Sequence, residues 1–339
     1  MPQKGTNSRL PRISAAVGLA MWLLLLLTTT SNLRETELIH KVVFFGMLVI
    51  VPLGLSVVPA QEPQGFLYRL AVWSQPIAAI PAIASFFVDV GPGAAALSCV
   101  WLVVTILIAM FGIARFSSRG VYPVEEFSID AGLLYLPVAG VWLVVYRLGI
   151  QPFDYGETIV LLTVVHFHFA GFAAPIIAGM SGRVLATRKH PSWLFRFSVF
   201  AIVAAMPLVA AGITFSAWLG LIGTGLIAAG LVMLAVLNVG WVIRAIVPFS
   251  SRLLLLIGAL CSCSAMVLAC LYAYSLPMKI LIIDIPTMAL THGILNAFGF
   301  VACSLLAWLV HEPAQLNAYG KADGNEGGDE GGEAGAHQG

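Results

Sequence analysis

Residues 158–180 read TIVLLTVVHFHFAGFAAPIIAGM, without a single Asp, Glu, Lys or Arg. At about 1.5 Å of rise per residue, a helix of this length crosses a hydrocarbon layer about 30 Å thick. Its centre, TVVHFHFAGFAAP at 163–175, carries two histidines one residue apart, His166 and His168. The rest of the chain has the same character. Of its 339 residues 60% are hydrophobic and 10% charged, whereas soluble domains carry roughly 25% charged residues. A soluble fold would have too little polar surface to cover itself. The pattern predicts an all-α, polytopic transmembrane helix bundle.

Ten spans are expected, at 13–30, 40–60, 68–89, 93–114, 127–148, 158–180, 194–214, 217–243, 252–275 and 288–310. Pro76 and Pro81 interrupt the third, which is tolerable where neighbouring helices satisfy the freed backbone groups. The apolar run Ile13–Leu27 follows Lys4, Arg9 and Arg12 but ends in TTTSNL without a small-x-small cleavage site, so it reads as a retained helix.

The basic residues orient the bundle. With a cytoplasmic N-terminus, Lys4, Arg9, Arg12, Arg69, Arg115, Arg119, Arg183, Arg188, Lys189, Arg196, Arg244, Arg252 and Lys321 lie inside. Arg34, Lys41, Arg147 and Lys279 lie outside, a division of 13 to 4 among 17. This follows the positive-inside rule and places both termini in the cytoplasm of a multi-pass protein of the cell (inner) membrane. The organisation is then a cytoplasmic N-terminus at 1–12, the bundle at 13–310, and a Gly-rich acidic tail at 311–339, too polar to bury a core and expected to be disordered.

Composition also excludes. No basic patch with interleaved aromatics supports nucleic-acid binding, so the lipid bilayer is the one assured partner. Cys99, Cys261, Cys263, Cys270 and Cys303 all fall in apolar segments and are odd in number, which is not a disulfide framework. On a helix Cys261 and Cys263 point about 200° apart and suit packing better than metal binding.

Depth singles out a few polar residues. His166 and His168 sit about 12–15 Å down the sixth helix. His292 and Asn296 share a face near the outer end of the tenth. His40, Asp89, Asp154, Glu157 and Asp284 lie at outer helix ends or loops. Ionisable groups at membrane depth usually face a bundle interior or a cavity, which makes the histidines a candidate site. The bland alternative is that each ties a neighbouring helix by a hydrogen bond. A regular helix cannot aim His166 and His168 at one ion, because they diverge by about 200°. Gly171 and Pro175 allow local distortion, and His168, Gly171, Phe172 and Pro175 share a face suited to close helix packing. On the inner side Glu125 and Glu126 complement the first turn of the fifth helix, while the deeper Asp130 could line an entrance or a proton path.

Three segments together, VEEFSIDAGLLYLPVAGVWLVVYRLG, TVVHFHFAGFAAPIIAG and PTMALTHGILNAFGF, resemble the bacterial YndJ-like integral membrane family over roughly residues 120–310. That family's HFHYAGF-type segment appears here as HFHFAGF, with Phe169 in the tyrosine position. The resemblance implies a polytopic membrane protein, sometimes described as transporter-like. It implies functional roles for His166, His168, Gly171, Phe172, His292, Gly293, Asn296 and Asp130.

Three functions are compatible with these residues. The first is a carrier for a small solute or lipid, with the histidines binding substrate or relaying protons near neutral pH. The second is a membrane-embedded metal- or haem-dependent enzyme, with His168, His292 and Asp89 as candidate ligands from separate helices. The third is a structural protein whose histidines lock helices together. The residues name no cofactor, no substrate and no oligomeric state.

Overall fold

The computed structural model describes residues 9–27, 35–58, 65–188 and 192–311. Among the described residues there are ten helices long and apolar enough to span a membrane, and no strand. They are α1 Arg9–Leu27, α2 Thr36–Val57, α3 Gly65–Phe87, α4 Pro92–Arg119, α5 Val124–Leu148, α6 Glu157–Leu185, α7 Ser192–Phe215, α8 Ala217–Ala245, α9 Phe249–Met278 and α10 Ile285–His311. Each matches an expected span, with the ends moved by a few residues. The chain is a polytopic membrane protein. Most of the Gly-rich tail, 312–339, and residues 1–8 lie outside the described residues.

Helix α3 stays continuous through Pro76 and Pro81 and ends in a 3₁₀ turn, Ser85–Phe87. Asp284 caps α10, its carboxylate accepting from the Thr287 amide at 2.9 Å. Contacts at the helix ends show that α5 runs opposite to α2, α4 and α6. The end of α4, the start of α5 and the end of α6 meet through Arg115, Glu126 and Arg183. At the opposite face the start of α2 meets the end of α5 through His40 and Tyr146.

Helices α2 and α6 are the most enclosed, and α1 the least. Between apolar helices there is little hydrophobic drive, so small residues that let backbones approach decide the pairings. Gly132 of α5 is one such point. A Cβ there would lie 2.6 Å from the Phe172 carbonyl oxygen of α6 and 3.1 Å from Ile176 Cγ1. The same contact is tied by the Ser128 hydroxyl donating to the Pro175 carbonyl at 2.7 Å.

Four stretches of α2, α6 and α10 are π-helical: Gly46–Ile50, Phe167–Ala173, Ala289–Gly293 and Leu295–Ala302. A further one, Asn238–Val242, lies in α8. Wider turns displace carbonyls from their usual partners, and buried side chains take up the difference. Gln75 of α3, buried, donates to the Met47 carbonyl inside the α2 stretch at 2.8 Å.

Candidate functional site

Three of the wide-turned helices, α2, α6 and α10, meet at an aromatic junction. Phe45 of α2 contacts Trp22 of α1 with ring centroids 4.9 Å apart, Phe298 of α10 at 4.8 Å and Phe169 of α6 at 6.5 Å. Phe169, in the position where a hydroxyl was expected, is thus a buried ring against another ring. The two motifs HFHFAGF and HGILNAFGF both sit in the π-helical stretches or at their edges, and α6 packs against α10 there.

His166 and His168 point to opposite surroundings, as a 200° divergence requires. His168 is fully buried. Its Nδ1 lies 2.8 Å from the Val164 carbonyl, and Trp101 of α4 donates its indole N–H to Nε2 at 3.2 Å. This pattern assigns the proton to Nδ1 and leaves the ring neutral with both nitrogens engaged. The Trp101 ring stacks beside it, 5.8 Å away at 21°, and Gly46 of α2 lets the backbone come close.

His166 is exposed. Its Nδ1 bonds the Leu162 carbonyl of its own helix at 3.0 Å. Its Nε2 has no hydrogen-bond partner among the described residues. It lies within electrostatic range of His292 on α10. His292 in turn binds the Ala265 carbonyl of α9 through Nδ1 at 2.9 Å, and the Asn296 amide approaches its Nε2 at 3.1 Å and its carbonyl at 3.1 Å. His292 and Asn296 are thus a hydrogen-bonded, half-buried pair on α10, and His166 is the exposed imidazole of α6 nearest to them in electrostatic influence. His168 lies behind it on the packed side.

The other candidates are placed elsewhere. Asp89 is exposed beyond the end of α3, and among the described residues no three His, Cys, Asp or Glu side chains are grouped to hold a metal. The set His168, His292 and Asp89 does not converge, because His168 has no free nitrogen and Asp89 sits at a helix end. Asp130 is fully buried inside an ion cluster rather than lining an opening. Arg115 Nε donates to its Oδ1 at 2.6 Å and Arg119 Nη2 to its Oδ2 at 3.0 Å. Glu126 belongs to the same cluster, accepting from Arg115 at 2.7 Å and from Arg183 Nε at 2.6 Å. Glu126 is thus an ion-pair hub, and helix-end complementarity is the lesser part of its role. Arg183 also reaches the Val57 carbonyl of α2 at 3.4 Å.

Phe172 and Gly171 act in packing. A Cβ at Gly54 of α2 would lie 2.6 Å from the Phe172 ring, and one at Gly171 3.3 Å from Tyr135 Cβ of α5. Pro175 follows the π-helical stretch directly by one residue, at the start of a regular helical segment. Gly293, which could have been a hinge or a point of close packing, makes no close approach: the nearest atom to a Cβ there is the Met288 carbonyl, at 4.0 Å. It ends a π-helical stretch and fits only the hinge half of that expectation.

Trp101 was invisible to sequence reasoning, since a tryptophan in an apolar helix carries no positional signal. A second polar group joins His40, whose Nε2 lies 2.7 Å from the Tyr146 hydroxyl, to Arg147, which donates to the Val88 carbonyl at 2.8 Å and stacks on Phe86. It fastens α2, α3 and α5 at the face opposite the arginine cluster.

The YndJ-like protein family matches residues 41–300, which includes both motifs, most of α2 and of α10, and every helix between them. The chain belongs to the YndJ-like family. A YndJ-like relative, the uncharacterized membrane protein YndJ of Bacillus subtilis (strain 168), is 27% identical over 292 residues. That match covers 84% of this chain and 51% of the relative, so the chain spans about half the length of the protein it matches. No solved structure matches this YndJ-like chain.

Proposed function

We propose that this YndJ-like chain is a carrier for a small solute or lipid, with His166, His292 and Asn296 as its binding point within the membrane. The observation that carries this reading is the contrast on α6: His168 spends both ring nitrogens on the protein, whereas His166, two residues away, keeps Nε2 open. An imidazole held by one backbone bond at membrane depth is oriented and still free to accept or donate a proton. Asn296 beside His292 adds an amide able to bond a polar substrate group.

Wide turns in α2, α6 and α10 at the same junction also suit a carrier. Interrupted helices line binding points in many carriers and supply the places where elements move. The metal-dependent enzyme has less support, because its candidate ligands do not converge. A purely structural role suits His168 well and His166 poorly.

The test needs no knowledge of the substrate. In a cysteine-free background reconstituted in vesicles, a His166→Cys variant is labelled with a membrane-impermeant thiol reagent added to one side and then to the other. A carrier that alternates its access predicts labelling from both sides, at different rates. Labelling from one side alone, or none, would sink the reading.

A further inference from the structure

At the arginine-rich face, the end of α6 and the end of α8 enclose a cleft of about 430 Å³ lined by Arg188, Gly240, Trp241 and Arg244. We infer that this cleft binds the phosphate of an anionic glycerophospholipid, with Arg188 and Arg244 on the phosphate oxygens and Trp241 at headgroup level.

Three observations support the assignment. The first is charge: two guanidinium groups from different segments face one cleft whose lining, among the described residues, contains no carboxylate. Arginine forks match phosphate geometry and bind it through two parallel bonds. The second is how α8 is built. Its π-helical stretch Asn238–Val242 widens the last turns, and a Cβ at Gly240 would meet nothing within 4 Å, so the cleft has an unobstructed backbone wall.

The third is location, which decides between a lipid and a dissolved anion. Val239, Val247 and Phe249, close by in sequence, expose 45%, 70% and 76% of their surface, giving acyl chains an apolar border. Tryptophan favours the membrane–water boundary, and basic pockets between transmembrane helices hold anionic headgroups. Arg252 nearby is committed to the Ile246 carbonyl at 2.6 Å and helps shape the chain between α8 and α9. The inference is separate from the carrier reading, since lipid retention is measured without transport.

Native mass spectrometry of the full chain, released from micelles with equal amounts of phosphatidylglycerol and phosphatidylcholine, tests it. The wild type should retain phosphatidylglycerol preferentially. Arg244→Gln should weaken that retention about tenfold, the effect of losing one charge-assisted bond, and Arg188→Gln with Arg244→Gln further still. Arg244→Lys, which keeps the charge and loses the fork, should fall between. Arg196→Gln removes the same charge from another place, where the guanidinium lies over Tyr122, and should leave retention intact.

Equal retention by Arg244→Gln and wild type would overturn the site. Equal loss in Arg196→Gln would reduce it to diffuse surface charge. Displacement of the lipid by inorganic phosphate at matched concentration would assign the cleft to a soluble anion and overturn the lipid.

Discussion

Replacing His168 with alanine removes an acceptor from Trp101 and a donor from the Val164 carbonyl, both inside the bundle. A buried N–H left without a partner costs about 1–3 kcal/mol. His168→Ala should therefore lower stability by about that amount in thermal unfolding of the purified protein. His166→Ala loses only a bond to its own helix from an exposed ring. Its effect should stay within about 0.5 kcal/mol, the usual range for surface changes. Equal losses would make both histidines packing groups and remove the contrast on which the binding point rests. The position of these residues along their helix was legible from residue counting along an apolar span. Which of the two is locked was not, because it depends on Trp101, 67 positions away on a different helix.

At the level of helices, the spans were readable because a membrane fixes their length and polarity, but their neighbours were not. Pairing depends on where small residues let backbones touch, and Gly132 and Gly293 show how little the residue type says. An added methyl at Gly132 would press on the Phe172 carbonyl, which belongs to backbone and cannot swing aside. Gly132→Ala should cost about 1–3 kcal/mol, the range for overpacking. Gly293→Ala meets nothing nearer than the Met288 carbonyl at 4.0 Å and should be neutral or slightly stabilising, since alanine favours the helix. Paired thermal unfolding of the two variants checks both directions.

The cap of α10 adds a dependence on pH. Hydrogen bonds from Thr287 hold the exposed Asp284 carboxylate below its ordinary value of 3.8. A lowered folded-state value means that the cap stabilises fully above the unfolded value and is lost as pH falls through the lowered one. Protection of the first-turn amides of α10, taken as their exchange rate relative to the free-peptide rate at the same pH, should fall below about pH 4 in the wild type. Asp284→Asn still accepts a bond from Thr287 but cannot titrate, so the same turn should exchange without that acid step.

At the scale of the whole molecule, one charge cluster on the arginine-rich face joins α4, α5 and α6. Three guanidinium groups, Arg115, Arg119 and Arg183, share two carboxylates, Glu126 and Asp130, leaving the cluster at +1. The sequence placed these residues on one side through the partition of basic residues. It could not show that they pair, since their partners lie on different helices. Burial makes the balance matter: removing one member of a buried pair costs about 3–5 kcal/mol, mostly from the charge left behind. Asp130→Asn raises the cluster to +2 and leaves the almost fully buried Arg115 without its 2.6 Å acceptor charge. It should destabilise the bundle by about 3–5 kcal/mol. Glu125→Gln, one position from the hub, touches no ion pair among the described residues and should change stability by less than about 0.5 kcal/mol. If the cost arises from uncompensated charge, adding Arg119→Gln to Asp130→Asn returns the cluster to +1 and should recover part of the loss. If the double variant is no more stable than Asp130→Asn, the cost lies in the geometry of the lost hydrogen bonds, and charge balance is not what holds these helices together.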